Sequence, residues 1–286
     1  MLKKIITKIT AIISFICLLT NITLSISAQG AMYVYNPILQ EMGITEEIFW
    51  GMPVEQRNIY QEIVSIQEIS TDTKFYKEVS SLNRAISTPV LLEINQSEYR
   101  TGISTLSLTP IEESDDTTTG SWYKMTTIIS KVETINGGIK YYITNTVDLD
   151  GSLFSGFDKS CYIGTSINAN MSPVRNSEYF RLLCTLGVSG QQIIEDKDDV
   201  TTHKSAGGIA FDYIIGGMMV SAQAFMSVEV EKNVSNVTVF DGYGLAGYWQ
   251  TTVNPSISIG SGGASISISP QKTLTRAQDT HVQIKP

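Results

Sequence analysis

Two histidines limit the acid–base chemistry open to this 286-residue chain. A Ser-His-Asp device needs an imidazole between a serine and a carboxylate. His203 follows Asp198 and Asp199, at the end of the polar run Glu195 to Thr202, which reads as a solvated loop; His281 sits in a polar C-terminal tail. Neither has supporting context, and Gly187-Val188-Ser189-Gly190 misses the last glycine position of a Gly-x-Ser-x-Gly elbow. The sequence therefore names no catalytic residue. Cys161 and Cys184 lie in apolar, strand-like runs without a histidine at any recognisable spacing. Two readings stand for them: one disulfide, if the compartment is oxidising, or two buried thiols.

Metal ligands are equally sparse. There is no His-Glu-x-x-His and no paired Cys-x-x-Cys, so zinc is not expected. Asp148-Leu149-Asp150-Gly151, with Asp158 downstream, opens like a calcium loop, but Ser152 falls at the third ligand position and the closing glutamate is absent. The choice there is a low-affinity calcium loop or simple turns, and no other cofactor is expected. Glycoside hydrolysis requires two carboxylates at a defined separation, and 28 acidic residues offer no pair to single out. An extracellular hydrolase is thus a reading without a motif.

Aromatic residues carry more information. Trp122-Tyr123, Tyr141-Tyr142, and Tyr243 with Tyr248-Trp249 form doublets or near-doublets. Neighbours on a strand face opposite ways, so one ring of each doublet points outward unless both faces are covered. Trp122, Tyr142, Tyr243, Tyr248 and Trp249 are accordingly the candidate ligand-binding residues, since exposed rings stack on the apolar faces of sugars. The competing reading places the outer rings under an N-terminal helical cap.

The elements that must position these residues begin with a leader. Lys3, Lys4 and Lys8 give a positive start, Ile9 to Leu24 is largely apolar, and Ser25, Ser27 and Ala28 are small: a secretory signal peptide over 1–28. Its removal takes three lysines and no acid, which moves the formal charge from −8 to −11. It also leaves only Cys161 and Cys184. The expectation is a secreted protein, extracellular or loosely surface-associated. At 42% hydrophobic and 17% charged the composition is globular, and 28 acids against 20 bases argue against a nucleic-acid partner.

Residues 29–70 read as a helical segment. Thr45 can cap a helix opening with Glu46-Glu47, and Pro53 suits the first turn of a second. Met52, Ile59, Ile63 and Ile66 recur at seven, four and three, one apolar stripe on a helix. Such a helix pair is either a cap on the following domain or a partner-binding pro-segment. Residues 71–120 read as an irregular connecting region ending in a polar linker at 112–120.

From 121 to 286 the period changes to two and glycines punctuate the runs. A turn at Gly216-Gly217 sets Ile215, Tyr213, Phe211 and Ile209 opposite Met218, Val220, Ala222 and Ala224, all on one face. This hairpin is either core or, with no charge from Tyr213 to Val228, a membrane-active pair. A turn at Gly262-Gly263 sets Ile259 opposite Ile266 and Ile257 opposite Ile268, against a bulge at Gly260 in one continuous strand. A third hairpin joins Trp122–Val132 to Ile139–Val147 through Asn136-Gly137-Gly138, its register open. The fold class is mainly β: an antiparallel β-sandwich with a small N-terminal helical segment.

Gly43-Ile44-Thr45-Glu46-Glu47-Ile48, Met52-Pro53, Trp122-Tyr123-Lys124-Met125-Thr126 and Tyr142-Ile143-Thr144-Asn145 together resemble segments of secreted β-sandwich proteins of Gram-positive bacteria. The resemblance covers the helical segment and one hairpin. It implies export and a β-domain, and it transfers no catalytic residue. The function expected is non-enzymatic binding of a glycan or protein ligand at or outside the cell surface. A pore-forming or membrane-interacting β protein is the alternative.

Overall fold

Glycine places one tight turn. Gly137 has φ +73°, a left-handed conformation that costs glycine little, and its N–H donates to Thr134 O at 2.7 Å, so the chain reverses after Thr134. Trp122–Thr134 (β3) and Ile139–Asp150 (β4) then pair antiparallel, Trp122 opposite Asp150 and Glu133 opposite Ile139. The expected hairpin forms, and its register is now fixed.

The computed structural model describes residues 33–79, 90–106, 121–150, 159–186, 192–196, 200–216, 219–249, 257–259, 266–268 and 274–286. The leader, the polar linker at 112–120, Asp158 and the glycines at 262–263 lie outside the described residues. Residues 36–286 form one compact unit. It opens with a 3-10 turn Pro37–Gln40 and the helices Glu46–Gly51 (α1) and Val54–Gln61 (α2). Thr45 caps α1 as expected, its hydroxyl accepting from Ile48 N at 3.3 Å. Pro53 stands at the N-cap of α2.

The helical stripe does not continue to residue 70. Ile63–Val79 is a 17-residue strand (β1) along β3. Two register shifts, between Ile63 and Ser65 and between Ile66 and Glu68, insert a residue each. Bulges of this kind stretch the strand period from two to three. Ile63, Ile66 and Ile69 therefore sit opposite Thr134, Val132 and Ser130 and imitate helical spacing. Nor is 71–120 irregular throughout: it holds the rest of β1, the edge strand Val90–Ile94 (β2) and the helix Gln96–Leu106 (α3). Within Thr71–Val79 only Tyr76 is buried, so no apolar alternation marks the strand.

The remaining strands are Lys159–Ile167 (β5), Met171–Pro173 (β6), Tyr179–Leu186 (β7), Gln192–Asp196 (β8), Thr201–Ser205 (β9), Gly208–Ile215 (β10), Met219–Lys232 (β11), Phe240–Trp249 (β12), Ile257–Ile259 (β13), Ile266–Ile268 (β14), Leu274–Arg276 (β15) and Thr280–Ile284 (β16). One sheet, A, runs β2-β1-β3-β4-β11-β7-β8 with β6 also on β11. The second, B, runs β15-β12-β5-β10-β9 with β16 on β12. The strands β13 and β14 pair separately, Ile257 with Ile268 and Ile259 with Ile266, the register that residue parity predicts.

The Gly216 hairpin is not formed. The strand β10 pairs with β5 and β9, whereas β11 pairs with β4, β7 and β6, so the chain crosses from sheet B to sheet A near residue 216. Ile209, Phe211, Tyr213 and Ile215 still face inward, as do Ala222 and Ala224, but across the sandwich; Val220 is instead 46% exposed, beside a register shift between Met219 and Ser221, and Met218 lies outside the described residues. An apolar face turned to a common core gives the same alternation in a hairpin and in two facing sheets.

Phe180, Ile143, Met226, Phe211, Ile163 and Phe240 are among the fully buried side chains of the core between the sheets. A polar link crosses it. Asn145 donates through Nδ2 to Gly164 O at 2.9 Å and Leu245 O at 3.3 Å, and Thr127 bonds both Asn145 Oδ1 (3.1 Å) and Thr280 (2.5 Å). A Cβ on Gly244 would stand 1.8 Å from Thr127 Oγ1, so only glycine fits beside this group. A second seam joins the sheets at their edge. His281, Gln283 and Lys285 donate their backbone N–H groups to Asp72 Oδ2 (2.8 Å), Ser70 Oγ (3.3 Å) and Glu68 Oε1 (3.0 Å) of β1. His281 thus belongs to a strand held on both sides rather than to a tail.

The helices cover the outer face of sheet A. Leu39, Met42, Ile48, Phe49 and Tyr60 are fully or nearly fully buried, as are Ile128, Val132 and Tyr142 of the sheet. Thr144 donates to Met42 O at 2.8 Å, Tyr60 and Ser227 share a 2.6 Å hydrogen bond, and Arg181 Nη1 donates to Glu47 O at 2.8 Å. The result is three layers: helices, sheet A and sheet B.

Candidate functional site

Three of the five candidate aromatic residues are buried. Trp122, 7% exposed, lies under α3, its ring edge-on to Tyr99 at 6.5 Å and Lys77 Nζ 4.9 Å from its centroid. Tyr142, 1% exposed, lies under α2 with Tyr60 at 5.5 Å, and its hydroxyl donates to Glu229 Oε2 at 3.1 Å. Burial first, then the nearby Tyr60 and Glu229, raise the Tyr142 hydroxyl far above its ordinary value and keep it neutral. These two residues follow the cap reading. Tyr248 faces the core instead, parallel to Tyr123 at 6.0 Å, with Lys159 Nζ 4.6 Å from its ring centroid. Burial lowers Lys159, and Glu78, 3.9 Å away, acts in the opposite sense. Trp249 pairs through its backbone with Ser160 and Leu274, and its side chain lies outside the described residues.

Tyr243 is half-exposed on the outer face of sheet B. The register places it opposite His281, and the two rings stack 4.7 Å apart at 12°. Two residues along each strand, Asp241 stands opposite Gln283 on the same face. Asp241 Oδ1 bonds His281 Nε2 at 3.1 Å and accepts from Gln283 Nε2 at 2.8 Å, while Oδ2 accepts from Asn168 Nδ2 at 3.0 Å. Burial alone would raise the Asp241 carboxyl, but the bonds from Gln283, His281 and Asn168 outweigh it and hold the group below its ordinary value. The arrangement joins a ring stack to a fixed carboxylate and two amides at the surface.

His281, Asp241, Gln283 and Asn168 are the members of this cluster that sequence reasoning missed. The signal was the alternation of Thr280, Val282 and Ile284 with His281, Gln283 and Lys285, a strand pattern inside what reads as a tail. Trp50 was missed too. It is 44% exposed on α1, its indole N–H donating to Glu46 Oε1 at 3.2 Å and the Arg57 guanidinium 5.8 Å from its ring.

The other candidates occupy structural positions. His203 lies in β9, not in a loop, and bonds Asp212 Oδ2 at 2.8 Å across to β10. Burial raises Asp212, with His203 acting against it. Asp198 and Asp199 lie outside the described residues, and among those described no hydroxyl is bonded to the His203 ring. Asp148 pairs with Lys124 at 2.9 Å and accepts from Gln223 at 2.6 Å, and Asp150 accepts from Tyr99 at 3.3 Å. Burial raises Asp150. Among the described residues no cluster of three or more His, Cys, Asp or Glu side chains is placed to hold a metal ion.

Cys161 and Cys184 are buried thiols, not a disulfide. They sit on β5 and β7, in opposite sheets, and both belong to the core. Burial pushes the Cys161 thiol up to about 12, against the pull of Lys159, so it is protonated and inert at neutral pH.

No protein-family model matches the chain, and no curated protein matches it. Among solved structures, the collagen-binding subdomain of the Enterococcus faecalis surface protein ACE is similar at 6% identity and TM-score 0.30, over 51% of this chain and 88% of that one. The T6 backbone pilin of Streptococcus pyogenes is similar at 9% identity and TM-score 0.30, over 76% of this chain and 61% of that one. The Streptococcus pneumoniae pilus backbone gives 6% identity and TM-score 0.29, over 41% of this chain and 27% of that one. The chain thus spans about a quarter of that pilus backbone's length. Similarity at this level fixes neither topology nor function.

Proposed function

We propose that this is a secreted, non-enzymatic binding protein acting at or outside the cell surface, and that its ligand is a glycan contacted around Tyr243. One observation carries the reading: the Tyr243–His281 stack, beside the Asp241 carboxylate and the Gln283 and Asn168 amides, is pre-ordered at the surface. A ring offers an apolar face to a sugar, and fixed acceptors and donors beside it meet the hydroxyls. Preorganisation matters because side chains already held by neighbours lose little freedom on binding.

The membrane alternative rested on the Gly216 hairpin, and its two arms face each other across the core instead of pairing. The test is retention of the purified protein on immobilised cell-wall glycans. Wild-type protein is expected to be retained, and Tyr243→Ala and His281→Ala to elute in the void with unchanged circular dichroism. Equal retention of both variants, or none of the wild type on any glycan matrix, overturns the proposal.

A further inference from the structure

A cleft of about 470 Å³ opens between the β6–β7 connection and the β9–β10 turn. That volume lies in the range of about 300–1,000 Å³ typical of small-ligand sites. Its aliphatic lining is Pro173, Val174, Ala206 and the buried Ile209, and its charged groups are Arg175, Lys204 and Glu178. Two cations against one carboxylate make it locally positive in a chain whose formal charge is −8.

The cations differ in availability. Lys204 is bonded to Glu178, which is 5% exposed. Arg175 is exposed and has no ion pair among the described residues. Its loop is nevertheless rigidly braced. Val174 N donates to Glu229 O at 2.8 Å, and the Ser177 hydroxyl accepts from Glu229 N at 3.0 Å while donating to Val174 O at 2.8 Å. Gln56 of α2 donates to Asn176 O at 3.4 Å. Asn176 itself adopts φ +61°, the left-handed conformation that asparagine tolerates in a turn, so the chain reverses directly after Arg175. A solvated guanidinium on an over-determined loop is a pre-positioned fork for a carboxylate.

We infer that this cleft binds a carboxylate-bearing peptide segment, with Arg175 taking the carboxylate and the aliphatic floor taking an adjacent side chain. The described lining contains no aromatic ring to stack on a sugar face and offers an aliphatic floor suited to an apolar side chain, which favours a peptide over an acidic glycan. The inference is independent of the Tyr243 surface.

Fluorescence anisotropy with a labelled hexapeptide alternating valine and glutamate tests it. Wild-type protein is expected to bind, Arg175→Ala to bind at least tenfold more weakly, and higher salt to weaken binding further. Tyr243→Ala should bind like wild type, which separates failure here from failure of the glycan reading. Because Arg175 is exposed, its variant is expected to keep the wild-type melting temperature, and Arg175→Lys to recover part of the affinity. Equal binding of the glutamine-for-glutamate peptide, unchanged affinity in Arg175→Ala, displacement by oligogalacturonate, or no binding at millimolar peptide each overturns the inference.

Discussion

The two outer faces of the sandwich carry similar side chains and meet different fates. On sheet A, Trp122 and Tyr142 point outward and are sealed under α3 and α2. On sheet B, Tyr243 also points outward, but it meets an imidazole and stays half-exposed. Strand geometry sets direction, and only the covering layer sets exposure. Two outer-face carboxylates, one on each sheet, also differ. Asp150 of sheet A is raised by burial, while Asp241 of sheet B is lowered because its hydrogen bonds outweigh burial.

Removing the lid on sheet A should have the largest effect. Tyr60 is fully buried and bonded to Ser227, so Tyr60→Ala is expected to destabilise by about 3–5 kcal/mol, read as a lower urea midpoint. Hydrogen exchange over residues 37–61 should quicken in the same variant, and an unchanged midpoint would mean that the cap is not part of the cooperative unit. Next comes the contact that buries Trp122. A Cβ on Gly102 would stand 2.1 Å from the indole, so Gly102→Ala should cost about 1–3 kcal/mol and red-shift tryptophan emission.

Acid should split the titrating groups of sheet B. Asp241 has a folded-state value below its unfolded one, so the native state binds fewer protons between the two values. Its contribution is present above the unfolded value, about pH 3.9, and is lost as pH falls through the folded value. Asp212 is raised, so the native state binds more protons there, and the penalty of its charge disappears as pH falls from its folded value toward about 3.9. Urea titrations should therefore show Asp241→Asn with a flatter acid limb and Asp212→Asn with a stability gain at neutral pH that shrinks on acidification. Identical pH profiles for both variants would remove the contrast. The smallest effect falls on the open platform: Tyr243→Ala should shift stability by within about 0.5 kcal/mol while abolishing glycan retention. A large loss of stability there would make the ring a packing residue.

Much of the local structure is legible in residue order. The parity of Ile257, Ile259, Ile266 and Ile268 specifies the β13–β14 register, and Thr45 before Glu46-Glu47 marks the start of α1. Where reading fails, the local pattern is shared by two structures. The β1 bulges copy a helical period, and inward faces of β10 and β11 copy a hairpin. The candidate site was legible only in part. Tyr243 was visible as one of five aromatics, whereas its partners His281 and Gln283 come from a strand about 40 residues away, with a polar face that reads as tail.

Pleating alternates side chains regardless of what a strand pairs with, so the sequence by itself determined most of the residues that share a strand face, the Asn136–Gly138 turn, the Thr45 cap, and that two apolar faces require a layered β fold. Which strands pair, and which outer face is covered, were decided by tertiary structure. Those outcomes depend on contacts such as Tyr60 with Ser227, 167 residues apart, whose formation is set by packing and loop closure over the whole chain. The same packing buried Cys161 and Cys184 as thiols, enclosed Tyr142, and left Tyr243 and Arg175 accessible at the surface.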